Sequence, residues 1–166
     1  MKAHANPITL KAVGGFFFPA DSAFREIYGS GDTSGLELTI ELFPNLDFWM
    51  RANYFFKRGQ LTLTREPTQV EIVTMGNGLR YRRSWKKLFF YGGIGTDYFI
   101  FNENNVLGNI EAGNLGLTLK AGVGFIVWKG IVSEFCFHYS RCQINPADYE
   151  VNIGGFQAMF GLGYRF

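Results

Sequence analysis

Two groups of residues in this chain could do chemistry by their types and spacing. The larger is a set of long charged side chains of both signs: Lys11, Glu37, Glu41, Asp47, Arg51, Arg80, Arg82, Asp97, Lys120, Glu134 and Arg165. Small residues, Gly, Thr and Asn, stand between them, so that if one face gathers the set, each charge can find an opposite partner. The smaller group is His138 and Ser140 with the carboxylates Asp148 and Glu150 downstream, which are residue types used in nucleophilic catalysis. Four dispersed cations, Lys57, Arg58, Arg65 and Arg141, are suited as charge-assisted donors to phosphate. Cys136 and Cys142 lie six apart; in one extended strand their Cα atoms stand roughly 20 Å apart, too far for a disulfide. No metal-ligand set surrounds them and no cofactor motif is present, so both are expected to be unpaired.

Composition narrows the elements that position these residues. The 166 residues are 47% hydrophobic, 17% aromatic and 18% charged, yet no apolar run approaches the roughly 18 to 20 residues of a membrane helix. The 21 Gly are scattered through regular stretches, as in Gly92-Gly93-Ile94-Gly95, where they would weaken a helix. Helices are therefore expected almost nowhere. A formal net charge of +2, with dispersed cations, argues against a nucleic-acid surface. The length suits one domain over residues 1–166. Met1 to Pro7 has no hydrophobic core of a secretory signal, although Ala3-His4-Ala5 has the small-x-small form of a cleavage site.

Period-two alternation recurs along the chain, most cleanly in Leu36-Glu37-Leu38-Thr39-Ile40-Glu41-Leu42. It predicts eight strands, at about 8–18, 35–43, 47–57, 70–82, 88–101, 115–127, 131–142 and 153–166. Connections alternate between short turns (44–46, 83–87, 128–130) and longer polar stretches (19–34, 58–69, 102–114, 143–152). An up-and-down barrel puts all short turns at one end and all long loops at the other, the asymmetry of outer-membrane barrels. Aromatic runs fall near both ends. Phe16-Phe17-Phe18, Tyr54-Phe55-Phe56, Tyr98-Phe99 and Tyr139 lie toward the loopy end, and Phe43, Trp85, Phe89-Phe90, Trp128, Tyr164 and Phe166 toward the tight one. Two such girdles are expected at the two membrane interfaces.

Alternation alone does not say which face is outside, because a soluble lipocalin-like barrel has a similar strand count. The apolar-out orientation accounts for the girdles, the loop asymmetry and the glycines interleaved with charges. It makes the charged set an interior network in a barrel only wide enough for its own side chains.

The closing run Gly154-Gly155-Phe156-Gln157-Ala158-Met159-Phe160-Gly161-Leu162-Gly163-Tyr164-Arg165-Phe166 resembles the last strand of bacterial outer-membrane β-barrels. With Pro19-Ala20-Asp21-Ser22-Ala23-Phe24 through Tyr28-Gly29, the chain resembles the domain family that groups opacity-like proteins with relatives of OmpX, OmpW and the OmpA barrel. The resemblance implies an all-β, eight-stranded transmembrane barrel in the bacterial outer membrane. It also implies that Phe160, Leu162, Tyr164 and Phe166 form the signal read by the barrel-assembly machinery. The family is functionally mixed, so the resemblance carries compartment better than activity.

Three functions follow as expectations. The first is a non-enzymatic barrel with a plugged, charge-filled interior, acting in envelope structure or through its loops on an unidentified extracellular partner. Outer-membrane lipid surrounds it, and Lys57, Arg58, Arg65 and Arg141 are offered to lipopolysaccharide phosphates. The second is a narrow OmpW-like pore for small or apolar solutes, given room by the inward Gly of the fifth and sixth strands. The third rests on a resemblance of His138-Tyr139-Ser140 to the His-x-Ser of the lipid A deacylases. That resemblance implies Ser140 as nucleophile, His138 as base, and Glu150 or Asp148 as the acid. The chain departs from that family, with Arg141 where Asn is usual and Phe156, Gln157 and Ala158 where the strand carries its acid. A His138–Glu134 hydrogen bond inside the barrel is the expected structural role of the histidine.

Overall fold

The computed structural model describes residues 7–61, 65–106, 108–144 and 150–166. Ala3-His4-Ala5 and Asp148 lie outside the described residues. Eight long antiparallel strands close a barrel: β1 (Ile8–Pro19), β2 (Gly31–Phe43), β3 (Leu46–Gln60), β4 (Pro67–Trp85), β5 (Leu88–Asn105), β6 (Gly108–Trp128), β7 (Ile131–Arg141) and β10 (Gly155–Arg165). Their order around the wall is β1-β10-β7-β6-β5-β4-β3-β2, so each pairs with its sequence neighbour and β10 closes on β1. Two-residue strands β8 (Gln143–Ile144) and β9 (Val151–Asn152) pair with each other beyond the loopy end.

The alternation that defines the strands also defines the wall. Leu117 is 67% exposed and Phe160 55%, and both point outward. Lys11, Glu37 and Lys120, at the opposite parity, are buried inside. An apolar belt of this extent facing outward is stable only against hydrocarbon.

The structure departs from the sequence expectations in three places. Strands β4, β5 and β6 have 19, 18 and 21 residues, well beyond the roughly 9 to 11 needed to cross a bilayer. Of the stretch expected as a loop at 102–114, residues 102–105 and 108–114 are ladder, with Asn102 opposite Glu111 and Asn104 opposite Asn109. Above the membrane both faces of a hairpin can meet water, so alternation fades while backbone pairing continues. The connection after β1 holds a helix, α1 (Ser22–Tyr28), where none was expected. Its N-cap is Asp21, whose Oδ1 accepts from Phe24 N at 3.0 Å, and Gly29 ends it at φ 69°. Finally, each aromatic run obeys the pleat. Phe16 and Phe18 face out while Phe17 is buried, and Phe55, Phe89 and Phe99 likewise turn inward.

Those inward rings belong to two apolar clusters in the lumen. Toward the loopy end, Phe17, Phe55, Val70, Ile72, Phe99 and Phe101 pack with Cys142, Ile144 and Ile153. Phe24 and Tyr28, one turn apart on α1, drop into the same cluster from above. Val13, Phe89, Tyr91, Val132, Cys136 and Met159 form a second cluster lower in the lumen, among charged residues: on β7, Glu134 falls between Val132 and Cys136.

Candidate functional site: the barrel interior

Below the loopy-end cluster, and interleaved with the second, lies a storey of buried charge, positioned by strand register. Lys11 of β1 stands opposite Glu37 of β2, and Glu37 opposite Arg51 of β3. The next residue around the wall is Gly76, followed by Asp97. Because Gly76 has no side chain, Arg51 and Asp97 meet across β4, with Nη2–Oδ2 2.5 Å and Nε–Oδ1 3.3 Å. A Cβ on Gly76 would stand 1.8 Å from Asp97 Oδ1. A neighbouring row repeats the device: Asp47 faces Arg80, Arg80 faces Gly93, and Gly93 faces Lys120.

Glu37 and Glu134 are the hubs. Lys11 Nζ donates to Glu37 Oε1 at 2.8 Å and to Glu134 Oε2 at 2.7 Å. Lys120 Nζ also donates to Glu37 and lies 3.9 Å from Glu134 Oε1. Arg80 spans Glu134 (3.4 Å) and Asp47 (3.0 Å), and Tyr91 donates its hydroxyl to Glu134 at 2.5 Å. Toward the tight end, Glu41 takes Arg82 at 2.5 Å and Arg165 at 2.8 Å. Arg82 Nε lies 3.1 Å from Asp47 Oδ2 as an ion pair without a directed hydrogen bond. Each buried charge in this storey thus has an opposite charge within ion-pair distance, the condition that makes it tolerable at low dielectric.

Trp49, Tyr91, Asn53 and Gln157 share this interior, although the sequence did not single them out. The available signal was parity, since Trp49 lies midway between Asp47 and Arg51 on one strand face. Trp49 is 0% exposed and lies close to two cations, 5.4 Å from Lys120 Nζ and 5.8 Å from Arg51 Cζ. The inward glycines of β5 and β6, expected to leave a solute path, are seats for rings. A Cβ on Gly95 would stand 2.6 Å from Trp49, on Gly122 2.4 Å from Tyr91, and on Gly124 2.0 Å from Phe89. Two small interior spaces, about 20 Å³ beside Glu41 and Arg82 and about 10 Å³ beside Asn53 and Gln157, lie among these side chains. Each is about the size of a single water.

His138 and Ser140 also point into the lumen. His138 does not bond Glu134, whose oxygens are taken by Lys11, Arg80 and Tyr91. Its Nδ1 faces Arg51 Nη1 and its Nε2 lies 3.5 Å from Cys136 Sγ. A guanidinium only donates, so Nδ1 accepts and the proton sits on Nε2, directed at sulfur. Neither ring nitrogen serves Ser140 as a base. Glu150 is exposed at the loopy end. The triad expected from His138, Ser140 and Glu150 is therefore not assembled. Cys136 and Cys142 are both free and buried, and among the described residues no cluster of His, Cys, Asp and Glu could hold a metal.

Phe160, Leu162 and Tyr164 are exposed on the outer face of β10, and Phe166 is exposed just past its end. Of the four phosphate-suited cations, Arg58, Arg65 and Arg141 are exposed and Lys57 is half-buried, all at the loopy end.

No protein-family model matches the chain, and no curated protein matches it in sequence. Solved structures do share its fold. The outer membrane protein OprG from Pseudomonas aeruginosa aligns with a TM-score of 0.82 at 15% identity, over 98% of this chain and 96% of that one. Neisserial surface protein A aligns at 0.70 with 12% identity, over 96% and 97%. The E. coli outer membrane protein W aligns at 0.64 with 17% identity, over 99% and 100%. The chain thus has the eight-stranded outer-membrane barrel fold that its closing strand resembles in sequence. With its outward apolar wall, it is an integral membrane barrel of the bacterial outer-membrane kind.

Proposed function

We propose that this chain is a closed, non-conducting outer-membrane barrel without enzymatic activity, serving envelope structure and surface interaction through its loopy end. The observation that carries this reading is the filled interior: an apolar cluster at the loopy mouth with α1 seated over it, and below it buried ion pairs interleaved with Trp49, Tyr91 and Phe89. A lumen occupied by Trp49, Tyr91 and the Glu37–Glu134 ion-pair network offers no continuous path to a hydrated solute. What remains available for recognition is the loopy end: α1, the β5–β6 hairpin standing above the bilayer, and the β8–β9 pair. Arg58, Arg65 and Arg141 there suit lipopolysaccharide phosphates, and the outward residues of β10 suit the assembly machinery. The test is single-channel recording on the refolded barrel in planar bilayers. No reproducible steps are expected; discrete, open-channel steps from the unaltered protein would overturn the closed reading.

A further inference from the structure

The two ends of the barrel carry opposite electrostatic characters. At the loopy end carboxylates, among them Glu26, Asp32, Glu111 and Glu150, outnumber cations in the described residues. At the tight end every exposed charged side chain among the described residues is a cation: Arg83, Lys86, Lys87 and Lys129. The carboxylates nearest that end, Glu41 and Asp47, turn into the lumen and are paired with Arg80, Arg82 and Arg165. None of the four cations forms an ion pair with a described carboxylate.

The four are also gathered in space. Lys86, Lys87 and Lys129 sit on the β4–β5 and β6–β7 turns and Arg83 at the end of β4 beside Phe90, and a 2.9 Å hydrogen bond from Ile126 N of β6 to Lys87 O links the two hairpins. Each turn carries an exposed tryptophan, Trp85 at 67% and Trp128 at 63%, and Lys129 Nζ lies 4.8 Å from the Trp128 ring centroid. Tyr81, Phe90 and Phe125 continue the outward face toward the hydrocarbon. Lys86 and Lys129 hold left-handed backbone, φ 57° and 39°, a conformation that costs a non-glycine residue stability. A cation stands at each of two positions whose backbone favours Gly or Asn.

We propose that this collar binds the headgroups of anionic phospholipids in the leaflet facing the tight turns. Indole rings anchor at the interface and the ammonium and guanidinium groups reach the phosphates. The inference rests on the membrane reading above. The chain carries its own probe, because its three Trp are Trp49, Trp85 and Trp128, and Trp49 is enclosed in the lumen. Fluorescence therefore reports on the lipids beside the collar.

The barrel is refolded into phosphatidylcholine vesicles containing either brominated phosphatidylcholine or brominated phosphatidylglycerol as quencher. Brominated phosphatidylglycerol is expected to show roughly a threefold or greater relative affinity for the tryptophan sites at low salt, falling as salt rises. Replacing Arg83, Lys86, Lys87 and Lys129 by Gln should bring the ratio to about one, and Lys-for-Arg or Arg-for-Lys exchanges should retain it. Folding of each variant is checked by heat-modifiable gel mobility. Equal quenching by the two lipids in the unaltered barrel would overturn the collar while leaving the membrane reading intact; so would a preference that survives the Gln replacements or is lost on replacing Arg58, Arg65 and Arg141 instead. An absence of quenching by either lipid would overturn the membrane reading itself.

Discussion

Trp49 of β3 packs against the bare backbone of Gly95 of β5, where a Cβ would stand 2.6 Å from the ring. A ring thus reaches past the intervening strand, because Gly78 on β4 is equally bare beneath it. The contact turns two small residues and one large one into a filled section of lumen.

Gly95→Val should therefore destabilise the refolded barrel by about 1–3 kcal/mol through overpacking, read from urea unfolding followed by tryptophan emission. Gly92→Ala is the control. Gly92 faces outward and a Cβ there meets nothing within 4 Å, so its unfolding midpoint should stay put.

Glu37 accepts from both Lys11 and Lys120. Glu37→Gln leaves two ammonium groups sharing the remaining charge of Glu134, and is expected to cost about 3–5 kcal/mol. A loss below about 1 kcal/mol in equilibrium unfolding would mean that water or a counter-ion enters the interior and replaces the carboxylate.

Opening the lumen should require removal of its rings. Trp49→Ala combined with Tyr91→Ala empties the two largest glycine seats, and conductance steps are expected from that double variant and not from the parent. Silence from both would place the seal in the apolar cluster under α1.

Helix α1 should respond to alkaline pH ahead of the barrel. The Tyr28 hydroxyl bonds Thr68 Oγ1 at 2.9 Å; burial, with Glu103 nearby, raises its pKa well above the ordinary 10.0. A phenol whose folded pKa is raised contributes stability that is complete below its unfolded pKa and lost as pH climbs toward the folded one. Docking of α1 should weaken above about pH 10, seen as faster amide exchange in Ser22–Tyr28. Tyr28→Phe should abolish that pH response.

Neither the unaltered barrel nor Ser140→Ala should release an acyl chain from lipid A, since Arg51 and Cys136 hold both nitrogens of His138. Release that depends on Ser140 would contradict this assignment.

Sequence determined the barrel wall. Alternation in stretches such as Leu36–Leu42 and Leu115–Phe125 set the strand number and sorted each strand onto two faces, because a pleat admits only two facings; the aromatic girdles, the loop asymmetry and the glycines among the charges turned the apolar face to hydrocarbon. It also gathered the charged set from Lys11 to Arg165 on one face. Pairing inside the lumen was decided by the closed structure alone. That Glu37 joins Lys11 to Lys120, that Arg51 takes His138 away from Glu134, and that glycines hold rings rather than leaving a path all depend on the shear that brings distant strands level, which no local pattern encodes. The helix after β1 escaped notice because its seven residues are stabilised by an Asp21 cap and by dropping Phe24 and Tyr28 into a mouth that exists only once the barrel has closed.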